Sequence, residues 1–381
     1  MIDIIVPVYR GLAQTRACLE SVLATPATPP FEVVVVDDAS PEPAIRDYVA
    51  ALAREGRVHA VHHPENQGFV RSVNEGMSLH RDRDVVLLNS DTEVANDWLA
   101  RLAGAASGDA RAATVTPFSN NATICSYPYW GWDGGLPGAL GLVALDALIA
   151  KVNAGIRIDL PTAVGFCMYI PRHALEALGL FDAERYGRGY GEENDFCMRA
   201  AKAGWRNLLA ADVFIFHEGS VSFSEERHEL QRTAARTLLD AHPEYTAAVH
   251  EFLSADSVAP LRDAMDRARI EASPAEALAV LSERGRERSR LLAEIRELEG
   301  VHHELALART QLASALAGSE ERGRMLEAER RKTEATIAEL RAGLSHAESL
   351  AFSRMRELEQ IYGSRTWRFM TYLARLRRGA T

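Results

Sequence analysis

Two short aliphatic runs that stop abruptly in acids constrain most tightly how this chain folds. Phe31-Glu32-Val33-Val34-Val35-Val36 breaks off at Asp37-Asp38, and Val85-Val86-Leu87-Leu88 breaks off at Asn89-Ser90-Asp91-Thr92-Glu93. Four consecutive apolar residues without polar alternation read as a strand buried on both faces, the mark of a mostly parallel sheet covered by helices. A carboxylate where such a strand ends lies at the rim of the sheet, where ligands of α/β proteins bind. Asp91 is therefore a candidate to hold a divalent cation against an anionic ligand such as a diphosphate. Taken alone, the same residues suit a solvated turn better.

The first 255 residues keep to this α/β pattern, with strands expected over 4–8, 31–36, 58–62 and 85–88. Helices are expected over 15–23, 44–53 and 69–79, joined by short links that call for right-handed crossovers. Further on, 162–172 reads as a strand ending in a turn, 196–203 as a helix and 213–216 as a strand. With 47% apolar and 25% charged residues in 381, the chain has ample material for a buried core. A net charge of −10 argues against a nucleic-acid partner and suits a site that meets phosphates through metal ions. Cys18, Cys125, Cys167 and Cys197 have no C-x-x-C spacing, so buried reduced thiols are expected. No basic leader precedes Ile2-Asp3-Ile4-Ile5-Val6 and no apolar run approaches the ~20 residues of a membrane span, so a cytoplasmic protein is expected.

Beyond Pro260 the composition changes to Ala, Glu, Leu and Arg, and proline disappears after Pro274. Residues 256–290 read as a helical linker. Alternating steps of three and four from Leu291 reach Ile295, Leu298, His302, Leu305, Arg309, Leu312 and Leu316, then Leu326, Ile337, Leu340, Leu344, Leu358 and Ile361. That is a heptad seam, and 291–361 is expected to form a coiled coil with a second copy or a protein partner. Ser319, Gly323, Arg330 and Thr333 interrupt it, and a single helix lying on the globular domain is the alternative. Residues 362–381 form a basic, aromatic tail in which Trp367, Phe369 and Tyr372 lie among Arg365, Arg368 and Arg375. Such a mixture suits an anionic membrane surface, hence peripheral contact at the inner face of the plasma membrane, or packing on another subunit.

Four pieces of the first half carry chemistry. Pro7-Val8-Tyr9-Arg10-Gly11 ends the first strand, and Asp37-Asp38-Ala39-Ser40 ends the second. There, one acid is placed to accept from a ribose hydroxyl or a base N–H, or to cap a helix. Asn66-Gln67-Gly68-Phe69 enters a helix bearing Arg71, and its glycine lets a ligand approach main-chain N–H groups. The fourth piece is Leu88-Asn89-Ser90-Asp91.

In order and spacing these pieces resemble the nucleotide-sugar half of family 2 glycosyltransferases, over about residues 1–250. The resemblance implies a GT-A fold, a Rossmann-like, mostly parallel sheet flanked by helices, here followed by the long C-terminal helical region. It also implies that Pro7, Tyr9 and Asp38 contact the nucleoside and that Gly68 and Arg71 lie close to the donor. Asp91 would be the last acid of the family's D-x-D-type motif, with Asn89 in place of the first. Mn²⁺ or Mg²⁺ would then be held by Asp91, diphosphate oxygens and water.

In the second half, the loop Tyr186-Gly187-Arg188-Gly189-Tyr190-Gly191 delivers Glu192-Glu193-Asn194-Asp195 to a helix start. Acids there are favoured by the helix dipole, but three within four residues exceed capping needs, and their repulsion raises at least one pKa, as a general base requires. The cluster resembles the family's E-D-x-D motif, which implies Glu193 as catalytic base, Asp195 as second choice and Glu192 as a group holding acceptor hydroxyls. His217, after the strand 213–216, matches a histidine that completes the family's metal site, and imidazole suits Mn²⁺. Between the halves, 116–132 reads as a loop whose Tyr127, Tyr129, Trp130 and Trp132 either stack on sugars or pack on the domain.

The resemblance implies inverting transfer from a UDP- or dTDP-sugar to a glycan or lipid-linked glycan acceptor. Rhamnose-type donors and bacterial surface polysaccharides such as O-antigen or capsule are the expected setting. A retaining transferase, a nucleotidyltransferase and a non-catalytic coiled-coil scaffold are the alternatives.

Overall fold

The computed structural model describes residues 1–132, 134–187, 189–219, 225–317, 332, 334–346 and 348–350. In chain order the first part contains β1 (Ile2–Val8), α1 (Leu12–Leu23), β2 (Phe31–Asp37), α2 (Pro43–Arg54), β3 (His59–His62), α3 (Phe69–Ser78) and β4 (Asp84–Leu88). Next come β5 (Thr92–Glu93), α4 (Trp98–Ser107), β6 (Ala112–Ser119), α5 (Leu142–Val152), β7 (Arg157–Leu160) and β8 (Cys167–Ile170). The helices α6 (Arg172–Leu178), α7 (Ala183–Tyr186) and α8 (Glu192–Lys202) lead into β9 (Arg206–His217). Helices α9 (Glu225–Ala241), α10 (Tyr245–Ala255), α11 (Ala259–Ala272) and α12 (Pro274–Ala317) complete the described elements.

The strands form one sheet in the order β3-β2-β1-β4-β8-β6-β9-β5, with β7 also paired to β9. β1 runs parallel to both β2 and β4, and β2 parallel to β3. β8 is inserted antiparallel between β4 and β6. This is the α/β class expected, a mixed, largely parallel sheet flanked by helices and followed by a long helical region. The aliphatic runs of β1, β2 and β4 are buried throughout, as their lack of alternation requires. Ile5, Val34, Val36, Val85 and Leu87 share a core with Val70, Val73 and Met77 of α3 and Phe196 of α8. Gly76 brings α3 close, because a Cβ there would stand 2.6 Å from Ile5 Cγ2.

The topology sets the C-terminal ends of β1, β2 and β4 and the start of β8 along one edge, so Tyr9, Asp38, Asn89–Asp91 and Gly165-Phe166 gather there. β9 reaches the same edge through an irregularity: Pro117 pairs with Ala210, but Phe118 pairs with Phe214. Such a bulge re-aims the strand beyond it. Buried Asp146 of α5 holds it, accepting from Phe214 N at 2.9 Å while paired with Arg101 at 2.5 Å.

One expectation changes and one open alternative is decided. Residues 116–119, read as loop, are the end of β6, and the aromatics that follow are not available to sugars: Tyr127, Tyr129, Trp130 and Trp132 are all buried. They pack on the domain, Trp130 against Phe252 and Tyr127 by hydrogen bonds with Asp266 and Arg269 of α11. Accordingly, the first compact unit runs to Val280 and takes in much of the stretch read as a linker. The second unit spans Leu281–Glu359, and its described residues are helical. The expected coiled coil lies partly, and the basic tail 362–381 wholly, outside the described residues. No helix among the described residues is long and apolar enough to cross a membrane.

Candidate functional site

A cleft of about 680 Å³ opens at this edge of the sheet, and Tyr9, Arg10, Asp91, Phe166, Glu192 and Glu193 all line it. Asp91 and His217 are brought together by β5, a two-residue strand whose Thr92 pairs antiparallel with His217. Glu218 N donates to Asp91 O at 3.0 Å and closes the same ladder. The imidazole is fixed on three sides. Its backbone N donates to Asn120 Oδ1 at 2.8 Å, its ring stacks on Phe166 with centroids 5.3 Å apart, and Nδ1 lies 2.6 Å from the carbonyl oxygen of Asn121.

A carbonyl only accepts, so Nδ1 carries the proton and donates to it. Nε2, 3.4 Å from Asp91 Oδ1, is left to face that carboxylate oxygen. Two lone-pair atoms at this distance are complementary to a cation between them. A histidine whose far nitrogen donates to a backbone carbonyl is also how imidazole ligands of metals are oriented. The pair therefore fits a divalent cation, with remaining positions left to ligand oxygens. The first position of the acidic motif adds no charge: Asn89 lines the cleft, and its backbone is tied to Phe166 O and Thr92.

Tyr190 and Gly191 take positive φ values of 73° and 90° and turn the chain into α8. A Cβ on Gly191 would lie 3.1 Å from the Tyr186 ring, so only glycine fits this turn without displacement. The first turn of α8 then presents Glu192, Glu193 and Asp195 in three different states. Asp195 is buried and spent: Arg199 Nε donates to Oδ2 at 2.8 Å and His242 Nε2 to Oδ1 at 2.8 Å. It is not among the cleft-lining residues. Glu193 accepts from its neighbour Asn194 at 3.2 Å through Oε1, while its buried Oε2 has no hydrogen-bond partner. Glu192, only 5% exposed, also leaves Oε2 without a partner.

Burial, and then the charge of Glu193, push the Glu192 carboxyl well above the usual range. Burial raises Glu193 as well, although backbone N–H groups of the helix start pull the other way. The helix dipole favours an anion by about 0.3–1 kcal/mol, less than the several kcal/mol that desolvating a carboxylate costs.

Other residues singled out by the sequence are placed differently. Pro7 and Tyr9 line the cleft, with Arg10 lying over the Tyr9 ring at 5.4 Å. Asp38 is buried and fully engaged: Oδ1 accepts from Gln67 N at 2.7 Å and pairs with His63 Nδ1 at 2.8 Å, and Oδ2 accepts from Gly68 N at 2.8 Å. Gly68 is buried at the α3 start, with a φ of 90°. Arg71 is exposed on α3, and neither residue lines the cleft, whereas Phe69 does. Sequence reading passed over Arg10, Gln14 and Phe69 as lining groups and Asn120-Asn121 as the holder of His217. Arg10, directly after Tyr9 at a strand end, carried a usable signal. The asparagine role needs the β6–β9 pairing.

Elsewhere, Asp3, Glu32 and His80 place ligand atoms within 4.8 Å of one another at the opposite edge of the sheet. Arg83 donates to Asp3 at 2.9 Å and Glu32 at 2.6 Å, so a guanidinium already holds the cation position. Cys18, under Asn89 and Thr92, is pushed by burial up to about 12 and is no nucleophile at neutral pH.

Residues 3–133 match the family model described as Glycosyl transferase family 2. That span holds Tyr9, Asp38 and Asp91 but ends before Glu193 and His217. A protein of Sinorhizobium fredii (strain NBRC 101917 / NGR234), Uncharacterized protein y4gI, is 24% identical over 252 residues, covering 63% of this chain and 27% of that protein. The chain thus spans well under half the length of this relative. Among solved structures, GalNAc-T7 with UDP, GalNAc and Mn²⁺ is similar at 17% identity and a TM-score of 0.48, over 71% of this chain and 54% of that one. The mannosyltransferase PcManGT from Pyrobaculum calidifontis, in complex with GDP-Man and Mn²⁺, gives 18% and 0.44, over 74% and 79% of the two chains.

Proposed function

We propose that this chain is a metal-dependent, inverting glycosyltransferase that moves a sugar from a nucleoside-diphosphate donor to a glycan hydroxyl. The observation that carries the reading is one cleft lined both by Asp91, whose carboxylate faces His217 Nε2 at 3.4 Å, and by Glu193, whose Oε2 has no partner. The match to the family 2 model over residues 3–133 supports the transferase class.

In this reading Tyr9 and Pro7 take the nucleoside, with Gly68 and Arg71 behind them. Asp91 and His217 hold Mn²⁺ or Mg²⁺, which supplies positive charge against the diphosphate. The exposed guanidinium of Arg10 adds a second positive charge at the same mouth. Glu193 accepts the proton of the acceptor hydroxyl, and that oxygen bonds to the anomeric carbon. The bond to the diphosphate breaks on the opposite face, and the nucleoside diphosphate leaves with the electron pair. Asp195, paired with Arg199 and His242, positions α8 and is not the base. UDP- or dTDP-sugars, rhamnose-type sugars among them, are the proposed donors, with a glycan or lipid-linked glycan of a bacterial surface polysaccharide as acceptor. The proposed setting is cytoplasmic, with the tail touching the inner membrane face and 291–361 joining copies of the chain or a protein partner.

Incubation of purified protein and Mn²⁺ with UDP-, dTDP- and GDP-sugars tests the reading. Sugar transfer or release that disappears with a chelator is expected, and release of pyrophosphate instead would identify a nucleotidyltransferase.

A further inference from the structure

Glu192 and Glu193 are neighbours on one helical turn and line one cleft, but their surroundings differ. Glu192 is 5% exposed, and its Oε2 has no partner among the described residues. Among the described residues of α8, Arg199 is paired with Asp195, and Lys202 with Glu244 at 2.9 Å and with His242, while Arg10 of the cleft lies over the Tyr9 ring. The titratable and charged groups sharing the cleft are Tyr9, Arg10, Asp91, Tyr190 and Glu193, and of these Glu193 acts most strongly on Glu192. An ionised carboxylate buried without a paired cation costs several kcal/mol, and where two carboxylates share a site one of them is driven to keep its proton. A neutral acid avoids both costs and keeps an O–H to give.

We propose that Glu192 works as a neutral carboxylic acid whose O–H donates a hydrogen bond to a hydroxyl oxygen of the sugar acceptor, leaving Glu193 as the ionised member of the pair. The assignment deepens the glycosyl-transfer reading and rests on it for the identity of the ligand. It gives the pair a division of labour: one carboxyl grips the acceptor by donating, and the other takes the proton from the attacking hydroxyl. A pair that pushes its two protonation equilibria apart in this way is how an acid and a base coexist in one site.

Infrared difference spectroscopy on the full chain in D₂O reads the proton directly, because a protonated carboxyl and a carboxylate absorb in separate regions. At pH 7 the wild-type minus Glu192→Gln spectrum is expected to show one protonated carboxyl band. In Glu193→Gln, where the neighbouring charge is gone, that band is expected to titrate away at lower pH than in wild type. This second variant keeps the test decisive if Glu192→Gln fails to fold. A carboxylate band in the difference spectrum, or a protonated band that ignores Glu193→Gln, overturns the proposal. The glycosyl-transfer reading fails separately, if wild-type protein gives no Mn²⁺-dependent sugar transfer or release with any donor of the panel.

Discussion

Two pairs of adjacent acids stand at the same edge of the sheet, and they are built in opposite ways. Asp37 and Asp38, after the Val run of β2, are buried and bonded. Asp37 Oδ1 accepts from Ser40 N at 2.8 Å, and Oδ2 meets His62 at 3.1 Å and Arg46 at 3.6 Å. Asp38 gathers Gln67 N, Gly68 N and His63. Glu192, buried at the start of α8, and half-buried Glu193 each leave a buried oxygen without a partner. An unsatisfied buried oxygen costs about 1–3 kcal/mol, more if charged, and persists where a ligand meets it. The first pair therefore reads as scaffold, clamping the 63–68 segment against β2, and the second as the chemical wall of the cleft. Acidic residues at a sheet rim are not equivalent: their bonding state separates those already satisfied within the fold from those that are not.

Substitution should expose that contrast. The largest effect is expected from Glu193→Gln, which keeps shape and removes the base; kcat for transfer should fall roughly 10²- to 10⁴-fold with donor binding preserved. Asp91→Ala should weaken Mn²⁺-supported donor binding by about 10–100-fold, read by titration calorimetry with and without the metal, because His217 alone is left to hold the cation. On the scaffold side, His63→Leu should cost about 1–3 kcal/mol of stability, seen as a lower Tm, since it leaves Asp38 and Glu75 without their shared partner.

The same histidine fixes a sign with pH. Burial lowers the His63 pKa, but hydrogen bonds to Asp38 and Glu75 more than offset this, so the folded value is raised. Its contribution is fully present below the unfolded value of about 6.5 and is lost as pH rises through the folded one. The Tm gap between wild type and His63→Leu should narrow on going from pH 6 to alkaline solution, and a widening gap would contradict the clamp. The smallest effect on chemistry is expected from removing residues 281–381. Sedimentation should report a smaller particle, while transfer per site stays as in the full chain.

Much of this layout was legible in the residues. β1, β2 and β4 declare themselves through unalternating aliphatic runs, and the acids after them mark the rim, because a double-buried strand leaves polar residues only at its ends. Pairing across distance was less visible. That His217 meets Asp91 depends on a two-residue strand, and that Asn120-Asn121 holds the imidazole depends on a bulge in β9; neither leaves a periodic trace. Bonding state was not legible at all. Asp38 and Glu193 look alike as acids in polar turns, and only the converging N–H groups of Gln67 and Gly68 show that one of them is already satisfied. The aromatic stretch 127–132 left two readings open for a related reason, since α10 and α11, far along the chain, are what it packs on.

In the proposed mechanism the Asp91–His217 pair and Glu193 act on one donor in one cleft. Its most direct test follows purified protein with each nucleotide-sugar by NMR, with Mn²⁺ and with a chelator, and reads the anomeric configuration of the product. Metal-dependent transfer with inverted configuration is the predicted result. Transfer that survives chelation, or a product that retains the donor's configuration, would contradict it.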